Sequence, residues 1–598
     1  MLPFMTSKVK FNEKAIRSFL GLNKGEDMSV GEITESNNMT SLYFPALGTR
    51  KKRMTLSETE GIINGFSTFE GYIYTSYIPE SNRMFLNYDS TDYEFTEFTD
   101  SPPEHIRRFA ALSDCILIIP DNILFYTNSR SFSRICVSNS STIKKVKDKF
   151  ALETNNSSAM DNAQTRYIAS YTHNSISYRK TNYSINGIKD FYYSNFDVSL
   201  KPGDIINLKM TVFSDSAEED NAYREYVQKM KNGISVKIKD ITSVTHSTVI
   251  GDITETVALI FDDNTIDCGK YKSLKISKII VERGMPVLEN ICSHNNRIWA
   301  TAGNEIYTSK LGDASEWNDF SVDSHGLLPY ACFNTKAETG GVFTGIIAYN
   351  NFVFAFKENA IHKIYGNTPD EYLLYTKICS GLKNGSNLCL CTGADSIIYP
   401  SSDGIYTYSD DFPKCISEKL NYSFKPVDAC SNNRYYYLLA SCENKNILLV
   451  YDLRRKIWHT QDVPEDSVFL ASHGKDIYLA TKSKVLLVDS SLEDEEKKEN
   501  VLWSFKMDFD DRLFDKKGYG TVSLRYSLEK NASFKVRTIY DDNTKGAICG
   551  AIYDESQTGG CTITIPVKRC RKFTLEFSGR GFFLLKGLKL KFYQGSEM

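Results

Sequence analysis

Two short turns in this sequence set acid, hydroxyl and glycine beside an aromatic ring: Gly312-Asp313-Ala314-Ser315-Glu316-Trp317, and Ser402-Asp403-Gly404 ahead of Ile405-Tyr406. Such a set suits glycosidic-bond cleavage, where a carboxylic acid protonates the leaving oxygen and a second group supports the sugar cation. Enzymes acting on sialosides also need an arginine cluster to clamp the substrate carboxylate, a Tyr nucleophile, and turns of the form Ser-x-Asp-x-Gly-x-x-Trp. Here the residue types are right and their order is wrong, so a surface glycosidase is the weakest reading. Trp317 and Trp458 could stack on a pyranose, but a Trp closing a strand more commonly wedges between packed sheets.

Other chemistries have less support. The eight histidines, at 105, 173, 246, 294, 325, 362, 459 and 473, form no His-x-His or His-x-x-x-His pair, and Cys389-Leu390-Cys391 has no second ligand pair. A metal site is therefore not expected. There is no Gly-x-Ser-x-Gly elbow or Walker-type loop, and Gly579-Arg580-Gly581 reads as a bulge or turn rather than a phosphate cradle. Arg50-Lys51-Lys52-Arg53 is the one basic cluster that could touch phosphate, although a solvated loop or internal salt-bridge partners would account for it equally. The expectation is a non-enzyme with no catalytic, cofactor-binding or metal residues.

The elements that hold these residues recur. A short apolar strand, a polar turn and a second apolar strand begin at Tyr72, Asp114, Arg297, Phe352, Ser396, Tyr435 and Asp476, at intervals of 42, 183, 55, 44, 39 and 41 residues. Five of these intervals fall near the ~40 to 50 residues of a four-stranded propeller blade. A lone hairpin is marginal in water, so such units must stack or close into a ring. Seven hairpins predict six to seven blades, with runs such as FVFAF and ILLVYD covered on both faces.

The long interval holds an insertion, 143–280, with a β-rich texture and one helix over 216–233, capped by Ser216 and stopped by Gly233. The charged run 492–500 marks a boundary, after which strands alternate with turns at sandwich spacing. The predicted architecture is all-β. An entry segment at 1–55 leads to the first blades at 56–142, then the inserted module at 143–280. The remaining blades follow at 281–491, and a separate C-terminal β-sandwich at 492–598.

Composition agrees with this. The 36 Tyr and 35 Phe favour strands. A net charge of −3 gives no whole-chain reason to bind a polyanion. The 14 cysteines sit mostly inside apolar runs, as buried thiols of a reducing compartment do. Charges interrupt the apolar runs of MLPFMTSKVKFNEKAIRSFLGL, so neither an export signal nor a membrane span is expected, and synthesis in a cytoplasm is.

Four stretches carry a family likeness: Gly21-Leu22-Asn23 with Gly31-Glu32-Ile33 and SLYFPALGTRKKR (Pro45, Arg50, Arg53); NRIWATAGNEIYTSKLGDASEWNDF from Asn296; FVFAFKENAIHKIYGNTP followed by SSDGIYTYS; and Pro566, Arg569, Cys570 with Gly579-x-Gly581. In their order and spacing they resemble β-propeller tail proteins of double-stranded DNA bacteriophages, particularly the nozzle, or tail tubular protein B, family of short-tailed phages. The insertion has no counterpart in that likeness. The resemblance implies a virion structural protein in a six-fold ring whose lumen passes DNA, with adjacent tail or adaptor proteins and tail fibres as partners. A near-neutral wall suits such a conduit, which must not hold the polyanion it passes. A receptor- or glycan-binding propeller for host attachment is the alternative.

Overall fold

Each of the seven apolar hairpins forms the middle pair of a four-stranded antiparallel sheet. The computed structural model describes residues 11–135, the strands within 149–283, 288–489 and 501–594, apart from short breaks such as 26–27, 318 and 511–515. Blade 1 consists of Ile62–Thr68, Tyr72–Ile78, Arg83–Tyr88 and Thr91–Glu94, and blade 2 of Arg108–Leu112, Cys115–Ile119, Ile123–Tyr126 and Ser131–Arg134. Blade 3 is Asn290–His294, Arg297–Ala302, Glu305–Thr308 and Phe333–Lys336, and blade 4 is Gly345–Tyr349, Phe352–Phe356, Ala360–Tyr365 and Leu373–Ile378. Blade 5 comprises Cys391–Thr392, Ile397–Pro400, Ile405–Tyr408 and Lys414–Cys415, and blade 6 comprises Lys425–Ser431, Tyr435–Cys442, Lys445–Asp452 and Ile457–Asp462. Blade 7 takes Ser467–His473, Asp476–Thr481 and Lys484–Asp489, and borrows its outer strand, Met54–Glu58, from the other end of the chain.

The expected six to seven blades are thus seven, closed as a ring. The packing gives the reason. Every neighbouring pair of blades encloses its own apolar cluster, and the seventh joins blade 7 to blade 1 through Phe469, Tyr478, Ile63 and Tyr74. Alternate residues of one strand serve opposite neighbours: Val353 and Ala355 pack towards blade 3, Phe354 and Phe356 towards blade 5. A continuous apolar run such as FVFAF follows from that double burial. Two inner hairpins turn on Asn295-Asn296 and Asn350-Asn351, all four residues at positive φ (47° to 61°), the type I′ geometry that Asn tolerates.

Between blades 2 and 3 the chain departs into the insertion, a closed barrel of seven strands from Lys149–Thr154 to Lys275–Arg283. Of the expected helix, Arg224, Glu225, Val227, Gln228 and Lys231 are helical, while its predicted caps Ser216 and Gly233 lie outside the described residues. The predicted boundary at 492–500 also lies outside them.

The sandwich differs from expectation in one respect: it is not built from the C-terminus alone. Its seven-stranded sheet takes Asn12–Ile16 and Leu47–Thr49 onto the C-terminal strand Phe583–Gln594, with Met39–Thr40 added beside Leu47–Thr49, and its five-stranded sheet takes Glu35–Asn37 onto Leu502–Phe509. Ile16, Phe19, Ile33, Met39 and Leu47 enter the same core as Phe505, Phe577 and Leu590. The described part of the segment read as an entry piece, from residue 11 to 55, therefore supplies sandwich strands and then the start of the blade 7 closing strand. Strands of two to five residues carry too little alternation to announce themselves.

Candidate functional site

The axis of a propeller is where seven inner strands converge, and it is the natural place for a ligand. Here the chain fills it. The connection from blade 4 to blade 5 makes a short turn, Asn387–Cys389, that reaches across the ring. Asn387 Nδ2 donates to Asn290 Oδ1 of blade 3 at 2.9 Å, Leu388 packs in the cluster between blades 7 and 1, and Cys389 packs between blades 5 and 6. Arg108 of blade 2 joins this plug, donating to Asn290 Oδ1 at 2.9 Å and to the Glu289 carbonyl. Across the axis, Asp428 of blade 6 accepts from Leu470 N at 2.7 Å and Ala429 N at 2.8 Å. Burial pushes the Asp428 carboxyl up, against the pull of those two N–H groups and of Arg108. Burial likewise raises the Cys389, Cys391 and Cys430 thiols, which leaves them as inert core groups. Cys389, in the turn, and Cys391, in the first strand of blade 5, both pack in the cluster between blades 5 and 6, and no group of three or more His, Cys, Asp or Glu suited to a metal occurs among the described residues.

The basic cluster resolves into two pairs. Lys51 and Lys52 are exposed, while Arg50 and Arg53 are buried at the seam between sandwich and propeller. Arg50 donates from Nε to Asn38 Oδ1 at 2.7 Å and pairs through Nη2 with Asp462 of blade 6 at 3.0 Å; Arg53 Nη1 lies 3.6 Å from the same carboxylate. Burial would raise Asp462, but the Asn38 amide and the two guanidinium groups outweigh it and hold the carboxyl below its usual range. The rest of the seam is built alike. Asp452 accepts from Ser41 Oγ at 2.9 Å and pairs with Arg455 at 3.0 Å, and Glu32 pairs with Lys419 at 2.6 Å. Gly21, at φ +76°, lies against Ile457, where a Cβ would fall 2.0 Å from Ile457 Cγ2. Of the N-terminal residues that carry the family likeness, Gly21, Leu22, Asn23, Gly31, Glu32, Ile33, Arg50 and Arg53 are buried in this seam or the sandwich core, while Pro45 is exposed.

The two candidate sugar platforms are wedges. Trp317 is buried between blades 2 and 3 and donates to Ala314 O at 2.9 Å; Trp458 is buried between blades 5 and 6 and donates to Ile416 O at 2.7 Å. The turn at Gly312 works as local structure: Asp313 Oδ1 accepts from Ser315 N and Oγ at 2.8 and 2.6 Å. In the second turn, Asp403 accepts from Tyr406 OH at 2.8 Å. Gly581, at φ +80°, makes the turn between sandwich strands that the Gly579-Arg580-Gly581 run suggested.

Sequence reasoning missed the buried cations. Arg297, 1% exposed, is held by the carbonyls of Ser309 (2.8 Å), Ala331 (2.7 Å) and Pro329 (2.5 Å), and fastens the long outer loop of blade 3. Lys357 donates to Thr339 O at 2.6 Å and to Asn304 Oδ1. No local pattern in the sequence marks either one.

Two histidines give the fold a pH dependence. His459, in the blade 6 strand at the seam, is 2% exposed and neither ring nitrogen has a hydrogen-bond partner; burial lowers it to about 4, with Asp452 acting the other way. His362 in blade 4 is lowered to about 4 by burial and by the charge of Lys357. The unfolded chain takes up these protons near 6.5 and the folded chain only near 4, so stability is full above that window and falls as pH drops through it. The shift at His459 corresponds to about 3 kcal/mol at most. Thermal unfolding from pH 7 to 4 should therefore show a falling Tm, with the slope reduced in His459→Leu and further in the double variant with His362→Leu. An unchanged slope would mean that these rings protonate without opening the fold.

No family model matches the sequence, and no curated protein sequence does. Among solved structures, BamB from Moraxella catarrhalis aligns at 8% identity over 74% of this chain and 100% of its own, with a TM-score of 0.32. The acylaminoacyl peptidase of Pyrococcus horikoshii aligns at 9% identity over 75% of this chain and 59% of its own, with a TM-score of 0.29. An exo-β-1,3-galactanase from Phanerochaete chrysosporium aligns at 10% identity over 50% of this chain and 95% of its own, with a TM-score of 0.20. Scores this low assign no activity to this chain, whose propeller is established by its own strand pairing.

Proposed function

We propose that this chain is a structural component of a phage tail or phage-derived particle, nozzle-like, without chemistry of its own, and that copies of it form a ring around a lumen that passes DNA. The closed axis carries this reading. Asn387, Leu388 and Cys389 occupy the place where propellers hold substrates, so any passage lies between copies and not through one. The tying of Trp317, Trp458, Arg50 and Arg53 into internal packing supports it as well. So does the stapling of sandwich to propeller by one N-terminal segment, since a ring under load needs rigid protomers. The net charge of −3 suits a wall that passes DNA without retaining it. Six-fold order and contacts with adaptor proteins and tail fibres come from the family likeness.

Electron microscopy of the purified chain tests this: rings with a lumen wide enough for duplex DNA are expected. A second reading, attachment to a host glycan, draws on a cavity of about 410 Å³ beside blade 4, lined by Thr339, Gly341, Lys357, Asn359 and Asn384. Tight binding of envelope glycans by a chain that forms no rings would favour that reading and sink the first.

A further inference from the structure

Among the described residues, several of the most exposed large apolar side chains fall on blades 4 and 5. Leu373 and Tyr375 (70% and 57% exposed) stand on the same face of the outer strand of blade 4 as Lys377, towards blade 5, where Phe412 is 70% exposed; Ile378 stands on the opposite face and, with Val342, borders the cavity beside Lys357. Leu373–Ile378 is the six-residue outer strand of blade 4, bonded on one side only. Elsewhere the outer strands are managed. Those of blades 1, 2 and 3 are polar four-residue strands (TDYE, SFSR, FNTK), and that of blade 5 has two residues. The apolar one of blade 6 is overlaid by the N-terminal segment, where Asn38 N donates to Thr460 O at 2.9 Å. An open apolar edge of this kind marks a protein contact. The patch is also held in shape: Lys377 donates to Asp411 O at 2.6 Å and lies 4.1 Å above the Phe412 ring.

Charge says what covers it. Residues 501–598 carry 17 Lys and Arg against 11 Asp and Glu, leaving 54 against 63 for residues 1–500, so a basic sandwich is joined to an acidic remainder. The apolar flank is bordered by exposed Asp370, Glu371 and Asp411. The sandwich in turn exposes Leu502 (63%) directly opposite Arg580 in the neighbouring strand. The sandwich already covers blade 6 of its own chain, next to blade 5, and leaves this flank exposed and open to another copy.

We propose that the flank of blades 4 and 5 in one copy receives the sandwich surface around Leu502 and Arg580 of the next. The two patches differ, so the contact is head-to-tail and leaves each copy one free patch of each kind, the arrangement that closes into rings. The inference rests on the ring reading for closure alone; the contact itself follows from the two patches. Its charged border makes it salt-sensitive.

Sedimentation velocity and mass photometry on the full-length protein test it. The flank variant Leu373→Asp with Phe412→Asp, and the sandwich variant Leu502→Asp with Arg580→Glu, should each stay monomeric, with self-association weakened roughly tenfold or more. Far-UV circular dichroism and Tm control for folding. Mixed together, each variant supplies the patch the other lacks, so a 1:1 heterodimer that grows no further is expected. Rings formed by wild type and by both variants alike would overturn this contact and leave the ring reading standing. A wild type that stays monomeric at all concentrations would sink both. A two-fold dimer lost only in the flank variant would show a self-complementary contact and overturn the head-to-tail one, as would a sandwich variant that loses DNA binding while its assembly is unchanged.

Discussion

A chain shortened to begin at Gly61 is expected to lose cooperative unfolding altogether and to be recovered as aggregate. The truncation removes the outer strand of blade 7, Met54–Glu58, whose ladder with Lys484 to Leu487 and ion pair from Lys484 to Glu58 at 2.9 Å close the ring. It also removes four strands of the sandwich and the buried side chains of Ile16, Phe19, Ile33, Met39 and Leu47. At about 1.5–3 kcal/mol for each large buried apolar side chain, those five alone represent on the order of 10 kcal/mol. That is comparable to the whole stability of a typical domain. The seam pairs of Arg50, Arg53 and Glu32 go with them, leaving Asp462 of blade 6 without its cations. Circular dichroism melts and size-exclusion chromatography check this; a soluble fragment with the wild-type Tm would make the segment an appendage. A truncation at the other end, after Asp489, should be milder for the propeller, because no blade borrows a strand from beyond that residue.

The blades were legible in the sequence because each repeats one strong signal. A hairpin buried on both faces must be apolar at nearly every position, and all seven apolar hairpins are middle pairs of blades. The strands around them were not legible. Outer strands such as Thr91–Glu94 are short and polar, and Cys391–Thr392 is two residues long, so neither periodicity nor propensity marks them. Closure of the ring by Met54–Glu58 pairs residues more than 400 positions apart, a relation that no local pattern encodes. The same holds for Asn12–Ile16 beside Leu588–Phe592.

At the candidate site, the residue types were readable and their partners were not. Arg50 and Arg53 stand next to Lys51 and Lys52 in sequence, yet only the arginines turn inward, because Asn38, Gln461 and Asp462 wait for them across the seam. An axial plug could not be foreseen from Asn387-Leu388-Cys389, since its three side chains serve three different parts of the ring.

Replacing Arg107 by Met should cost about 3–5 kcal/mol, because it leaves a carboxylate buried without its cation. The side chains of Arg107 and Asp121 are both 0% exposed, joined from Nε to Oδ2 at 2.8 Å. The guanidinium also donates through Nη1 to Pro103 O at 2.9 Å and His105 O at 3.0 Å, and lies 5.7 Å from the Phe95 ring centre. Asp121 additionally accepts from Thr99 Oγ1. This network is how the connection from blade 1 reaches the inner strand of blade 2, and its loss should loosen the cluster of Leu86, Phe95, Ile116 and Phe125 between those blades. The double variant Arg107→Met with Asp121→Leu should recover much of the loss, since removing both charges also removes the uncompensated one. A chain of several domains does not unfold in two states, so Tm alone is a blunt readout. Hydrogen exchange is the sharper one. Amides of blades 1 and 2 should lose protection in Arg107→Met and regain it in the double variant, with blades 4 to 6 unchanged. If protection falls equally around the ring, the seven interfaces act as one cooperative unit and the pair is not a local staple.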